Sequence, residues 1–104
     1  MATKSVPEIP ATVYSILGPI PVEVVPELVS ADGDPLLGKW VPEDRVIKLR
    51  GDVSPLTMYV TLWHESIHAW LWDAGTMPGE EETEERICDS LSSAIVGALL
   101  IANP

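Results

Sequence analysis

The sequence predicts a small α+β domain in which a short antiparallel or mixed sheet of about three strands packs on two helices. Seven of the ten prolines lie within the first 42 residues and exclude long helices there. Short β-branched runs stand between these prolines and favour strands. Two long stretches follow residue 54 without an internal helix breaker. The 104 residues are enough for one domain, spanning 1–104.

Three segments of the first half are predicted to be strands. They are Val22–Val25, Lys39–Val41 and Arg45–Leu49, and Asp32–Pro35 is a predicted turn. In Arg45–Leu49 neither alternating face is cleanly apolar, so this segment is predicted to be an edge strand.

The first helix is predicted from its end signals. Ser54 can cap it, Pro55 suits the first helical position, and nothing breaks the segment before Gly75. Apolar residues surround this helix on nearly all sides, which predicts a helix buried between two layers.

The second helix is predicted to follow a turn at Pro78–Gly79, starting near Glu80 and running to about Leu100. The glutamates of its first turn place negative charge at the positive end of the helix dipole. Its predicted core-facing stripe consists of Ile87, Leu91, Ala94, Ile95, Ala98 and Leu99.

The strongest functional signal is the sequence His-Glu-Ser-Ile-His at residues 64–68. Two histidines four apart on a helix lie about 40° apart around its axis, so His64 and His68 can both reach one metal ion. Glu65 is offset by about 100° and can reach a metal-bound water without ligating the metal. The chain has only two histidines, and both lie in this motif.

A catalytic zinc site normally needs a third protein ligand. Glu84 lies near the centre of the predicted inner stripe of the second helix, and an antiparallel return after Gly75 brings it level with His68. Glu84 is therefore the favoured ligand. Glu81 and Glu85 are the next candidates, and Cys88 is a further one.

Composition limits the classes of partner and the compartment. The net charge of −10 argues against nucleic acid and against an anionic membrane surface. One cysteine cannot form an internal disulfide, which favours a reducing setting. No signal peptide or membrane-spanning stretch is evident, so a cytoplasmic location is expected.

The stretch Val60–Trp72, followed by Glu-Glu-Arg-Ile at 84–87, resembles the small gluzincin-type zinc metallopeptidase-like proteins of bacteriophages and prophages. The resemblance implies a minimal zincin-like fold in which a short sheet precedes the motif helix. It also implies one Zn²⁺ ion held by His64, His68 and Glu84, with Glu65 as the base. The chain departs from the family in offering no histidine or tyrosine assignable as a transition-state stabiliser.

The expected function is a zinc-dependent peptidase that hydrolyses peptide bonds with a metal-activated water and Glu65 as general base. Its partner would be a peptide or protein substrate lying along the predicted edge strand Arg45–Leu49. The alternative is a non-catalytic zinc-stabilised interaction or assembly module. A metal-free domain that binds a basic partner through its acidic helix start is a third hypothesis.

Overall fold

The computed structural model describes residues 6–75 and 81–101, which form a four-stranded mixed sheet with two helices stacked on one face. The elements are β1 (Thr12–Ser15), β2 (Gly18–Val25), β3 (Gly38–Val41), β4 (Val46–Arg50), α1 (Pro55–Ala74) and α2 (Glu81–Ile101). This architecture confirms the predicted α+β class. The predicted turn at Pro78–Gly79 and the helix start at Glu80 lie outside the described residues.

The strand order is β1-β2-β4-β3, which makes β4 an interior strand. It pairs in parallel with β2 and antiparallel with β3. The prediction of an edge strand at Arg45–Leu49 is therefore wrong. Ile47 and Leu49 are fully buried, while Lys48 and Arg50 lie on the other sheet face. The alternation of apolar and polar residues within a strand indicates which sheet face is exposed to solvent. It carries no information about which strands lie on either side.

The strand that the sequence did not predict is β1, which forms a hairpin with β2. Pro19 and Pro21 lie inside β2, opposite Tyr14 and Thr12. The Val22 N–H donates to the Ala11 carbonyl, so neither proline occupies a hydrogen-bonded position of this ladder. The sheet accommodates both prolines because the missing N–H groups face away from β1.

The helix α1 lies between the sheet and α2. This position agrees with the prediction from the apolar residues on nearly all sides of the helix. It contacts β1, β3 and β4 on one side and α2 on the other. Its ends also follow the prediction. The Ser54 side chain accepts from the Thr57 N–H, Pro55 opens the helix, and Gly75 ends it at a φ of +69°.

The buried face of α2 differs from the predicted stripe. The residues that α2 buries are Cys88, Ser92 and Val96, while Leu91 and Leu99 remain 46% and 41% exposed. The buried stripe is thus rotated by about one residue, or about 100°. Two of its three members, Cys88 and Ser92, are small. A prediction based on large apolar side chains therefore selects the neighbouring face of α2.

A charged cluster ties the end of α1 to the sheet. The Arg45 guanidinium makes two hydrogen bonds of 2.8 and 2.9 Å to the Asp73 carboxylate. The Ser15 hydroxyl donates to the same carboxylate. These bonds hold the pKa of Asp73 at about 2, below its ordinary 3.8, with the Arg45 hydrogen bonds as the largest cause.

Candidate metal centre

The two histidines of the motif lie on the face of α1 that meets α2. The Nε2 atoms of His64 and His68 are 3.2 Å apart, and both side chains are largely buried. The spacing of one helical turn therefore brings both rings to a common point, as the sequence predicted.

A carboxylate from α2 contacts the outer nitrogen of each ring. His68 Nδ1 lies 2.7 Å from Glu84 Oε2, and His64 Nδ1 lies 2.9 Å from Asp89 Oδ1. A carboxylate accepts a hydrogen bond, so each contact favours the tautomer that carries its proton on Nδ1. With a cation at the common point, each Nε2 atom would present its lone pair to that cation.

Glu85 brings the third donor to that point. Its Oε1 atom lies 2.6 Å from His68 Nε2, and its Oε2 atom lies 3.3 Å from His64 Nε2. Two nitrogens at zinc-bond length in a tetrahedron are separated by about 3.3 Å, close to the 3.2 Å found here. The Glu85 side chain is 50% exposed, so the cluster opens to solvent on one side.

The arrangement departs from the predicted ligand set at Glu84. The structure places Glu84 on the outer nitrogen of His68 and brings Glu85, one of the alternatives, to the shared nitrogens. The one-residue rotation of the α2 stripe brings the half-exposed Glu85 within reach of the shared nitrogens, while Glu84, the more buried of the two, contacts the outer nitrogen. Asp89, which is absent from the predicted ligand candidates, contacts His64. Glu81 lines the cleft outside this cluster.

Glu65 lies beside the two histidines, next to β3. Its Oε2 atom is 3.8 Å from His64 Nε2. The Glu65 carboxylate also accepts a hydrogen bond from the Trp40 backbone N–H. Burial, first of all, and the charge of Glu85 raise the pKa of Glu65, against the opposing influence of both histidines. Such a carboxylate is well suited to take up a proton.

Gly38 allows β3 to lie against α1 at this point. A Cβ atom on Gly38 would be 2.5 Å from Thr61 Cγ2 and 3.0 Å from Glu65 Cγ. Only glycine therefore permits the observed approach of the strand to the helix. Sequence reasoning missed this residue, and its one available signal was a glycine at the edge of a predicted strand.

A groove passes the histidines along β3. Two cavities of about 490 and 360 Å³ flank the motif and share Leu36, Gly38, His64 and Glu65. β3 forms one wall of this groove, α1 forms its floor, and α2 forms the other wall. The groove therefore runs parallel to β3 and is open along that direction.

Cys88, the remaining ligand candidate, lies outside the cluster. Its side chain is fully buried, and burial, followed by the nearby carboxylates, raises the pKa of its thiol to about 12. Zinc binds the thiolate form of cysteine, which this environment disfavours.

No tyrosine of the described residues lies at the motif. Tyr14 is 72% exposed on β1, and Tyr59 is buried on the side of α1 that faces the core. Trp40, which sequence reasoning did not select, lines the groove. Its indole N–H is buried and has no hydrogen-bond partner among the residues that the structure describes.

Comparison with known proteins finds no matching family model, no matching curated protein and no matching solved structure. Neither helix, within the part of the chain that is described, combines the length and apolarity needed to cross a membrane.

Proposed function

We propose that this chain is a zinc-dependent peptidase, with His64, His68 and Glu85 as metal ligands and Glu65 as general base. The observation that carries the proposal is the convergence of three donor groups on one point. The two Nε2 atoms are 3.2 Å apart, and the Glu85 carboxylate lies 2.6 Å from that of His68 and 3.3 Å from that of His64. The carboxylates of Glu84 and Asp89 contact the Nδ1 atoms on the outer side of the rings.

The chemistry of the donor set supports a cation at this point. Two imidazole lone pairs and a carboxylate repel one another unless a positive charge lies between them. Carboxylates that accept from the outer nitrogens of metal-bound histidines orient the rings and make them more basic. Nitrogen and oxygen donors in this number are typical of catalytic zinc.

Zinc held there would polarise a peptide carbonyl and make a water molecule more acidic. Glu65 would take the proton of that water and pass it to the leaving amine. The Trp40 backbone N–H would hold the Glu65 carboxylate in place beside the groove.

The substrate strand would lie on β3 rather than on Arg45–Leu49, because β3 is the edge strand beside the motif. The Arg50 N–H donates to the Leu37 carbonyl, so the ladder alternation turns the backbone groups of Gly38 and Trp40 away from β4. An extended peptide in the groove would hydrogen-bond to the N–H and carbonyl of Gly38 and to the carbonyl of Trp40, because the Trp40 N–H already donates to Glu65.

A second candidate, a non-catalytic zinc-stabilised module, is favoured by one observation. Among the described elements α2 contacts α1 alone, and the metal ligands come from both helices. Zinc bound to both helices would therefore stabilise the packing of α2 against α1. The two candidates share a metal centre and differ in what the groove binds.

The resemblance to gluzincin-type proteins and the phage origin that it implies stay predictions. A reducing, cytoplasmic compartment is part of the proposal, because the one cysteine is a buried free thiol.

The test is zinc content and peptide hydrolysis on protein made without a histidine tag. Wild type should hold one zinc per chain and cleave members of a diverse peptide mixture. Glu65→Gln should keep the zinc and lose hydrolysis, whereas the matched surface variant Glu82→Gln should keep both. Undiminished hydrolysis by Glu65→Gln would overturn the mechanism. Bound zinc without any hydrolysis would favour the second candidate.

A further inference from the structure

A row of charged side chains crosses the open face of the sheet. Glu23 of β2 is aligned with Lys48 of β4, and Lys48 is aligned with Lys39 of β3. Gly38 faces α1, so its neighbour Lys39 points to the opposite face, which carries no helix. From β2 to β3 the charges are therefore negative, positive and positive, and the last of them, Lys39, lies on the edge strand.

Among the described residues, no carboxylate is aligned with the last member of this row in the strand register. Lys48 has Glu23 as its lateral neighbour, whereas Lys39 has only Lys48. Like charges directly opposite one another destabilise a strand pair. Neither lysine forms an ion pair with any residue that the structure describes.

The two lysines stand out against an acidic chain with a net charge of −10 and only six lysines and arginines. The neighbouring arginines of the β3–β4 region are already neutralised. Arg45 pairs with Asp73, and Arg50 pairs with Asp52. Lys39, on the strand that borders the groove, is thus the lysine of this row without an aligned carboxylate among the described residues.

We propose that the substrate carries an aspartate or glutamate at the position that lies opposite Lys39. This inference rests on the proposed peptidase function and specifies its substrate class. A peptide strand added to β3 places one residue opposite Lys39, with about 5 Å between the Cβ atoms and with both side chains on the open face. An acidic residue there gives each lysine of the row one negative neighbour.

The preference applies to that one position. Side chains that point toward α2 would meet Glu81, Glu84, Glu85 and Asp89, which disfavour a further negative charge. The substrate is therefore expected to be acidic on the side of the open sheet face and uncharged or basic on the side of α2.

The test uses a neutral fluorogenic peptide that the enzyme cleaves, with aspartate or asparagine placed at each position in turn. One position should favour aspartate by about threefold to tenfold in kcat/KM, as expected of one or two partly exposed ion pairs. Lys39→Gln should remove this preference, and Lys39→Glu should reverse it toward a lysine peptide. Arg86→Gln, which removes a positive charge from an exposed pair on α2, should retain it.

Binding of the same peptides to Glu65→Gln separates this inference from the proposed function. If no peptide is cleaved by the wild type, the peptidase proposal fails, but the aspartate preference in binding still reports on Lys39. An equal preference in wild type and Lys39→Gln, in either cleavage or binding, would overturn the inference. Equal melting temperatures of the variants confirm that the fold is intact.

Discussion

The imidazole ring of His68 lies between two consecutive glutamates of α2. Its Nδ1 atom is 2.7 Å from Glu84 Oε2, and its Nε2 atom is 2.6 Å from Glu85 Oε1. Adjacent residues on a helix point about 100° apart, so the two carboxylates reach opposite sides of one ring. The outer carboxylate orients the ring, and the inner carboxylate completes the donor cluster.

The two glutamates are therefore expected to differ in their effect on zinc affinity. Glu85→Gln removes the negative donor and should prevent tight binding. Glu84→Gln should weaken binding by about 10-fold to 100-fold, the usual cost of losing an orienting carboxylate. Glu81→Gln, outside the cluster, should bind as wild type. Competition against a fluorescent chelator measures all three, and a larger effect of Glu84→Gln would reverse the two roles.

Metal removal should destabilise the packing of α2 on α1. Binding to the folded state alone stabilises it, so a chelator should lower the melting temperature and expose α2 to limited proteolysis. His64→Ala combined with His68→Ala serves as the control, because its melting temperature should not respond to the chelator. An unchanged wild-type melting temperature would contradict a metal bridge between the helices.

Gly38→Ala should disturb the site through the contact between β3 and α1. The new methyl group would lie 2.5 Å from Thr61 Cγ2 and 3.0 Å from Glu65 Cγ. Overpacking of this kind costs about 1–3 kcal/mol in the free energy of unfolding, which urea titration measures. Hydrolysis should fall as well, because Glu65 must move.

Two variants complete that experiment. Thr61→Ser removes the clashing methyl group and keeps the hydroxyl that donates to the Thr57 carbonyl, so it should partly rescue Gly38→Ala. Gly97→Ala meets no atom within 4 Å and should stabilise α2 by about 0.5–1 kcal/mol. A destabilised Gly97→Ala would contradict the environment described for it.

Asp73→Asn should weaken the fold in a pH-dependent manner. Because the folded-state pKa of Asp73 is lowered to about 2 from 3.8, its stabilising contribution is complete above about pH 4 and is lost as the pH falls through about 2. At pH 7 the variant should lose about 1.5–3 kcal/mol, the range for hydrogen bonds to a charged group. The difference from wild type should shrink as the pH approaches 2.

Asp52→Asn is the matched control, because it breaks an exposed Arg50 pair of similar geometry. Its loss of stability at pH 7 should be smaller, since solvent and salt screen an exposed pair. Urea titrations at pH 7, 4 and 2.5 distinguish the two aspartates. Equal losses at pH 7 would show that burial of the Asp73 carboxylate adds nothing.

Cys88 should be unreactive in the folded protein. Its thiol is fully buried with a pKa raised to about 12, so almost no thiolate exists at pH 8. Iodoacetamide should modify it only in urea, and Cys88→Ala should still bind one zinc. Rapid labelling of the native protein, or loss of zinc in the variant, would restore Cys88 as a ligand candidate.

The elements that the sequence predicted well are those with local signals. Ser54, Pro55 and Gly75 mark the ends of α1 through backbone geometry that only neighbouring residues determine. The interior position of β4, by contrast, depends on β2 pairing with it in parallel across more than twenty intervening residues. No local pattern in β4 records that partner.

The sequence by itself determined that His64 and His68 reach one point and that Glu65 lies beside them, because one α-helix sets their geometry. The tertiary structure alone decided which acidic residue joins them. That choice depends on how α2 is rotated against α1, and the rotation follows from close packing of Cys88, Ser92 and Val96. Since one residue along a helix is a turn of about 100°, a shift of one position exchanges Glu84 for Glu85.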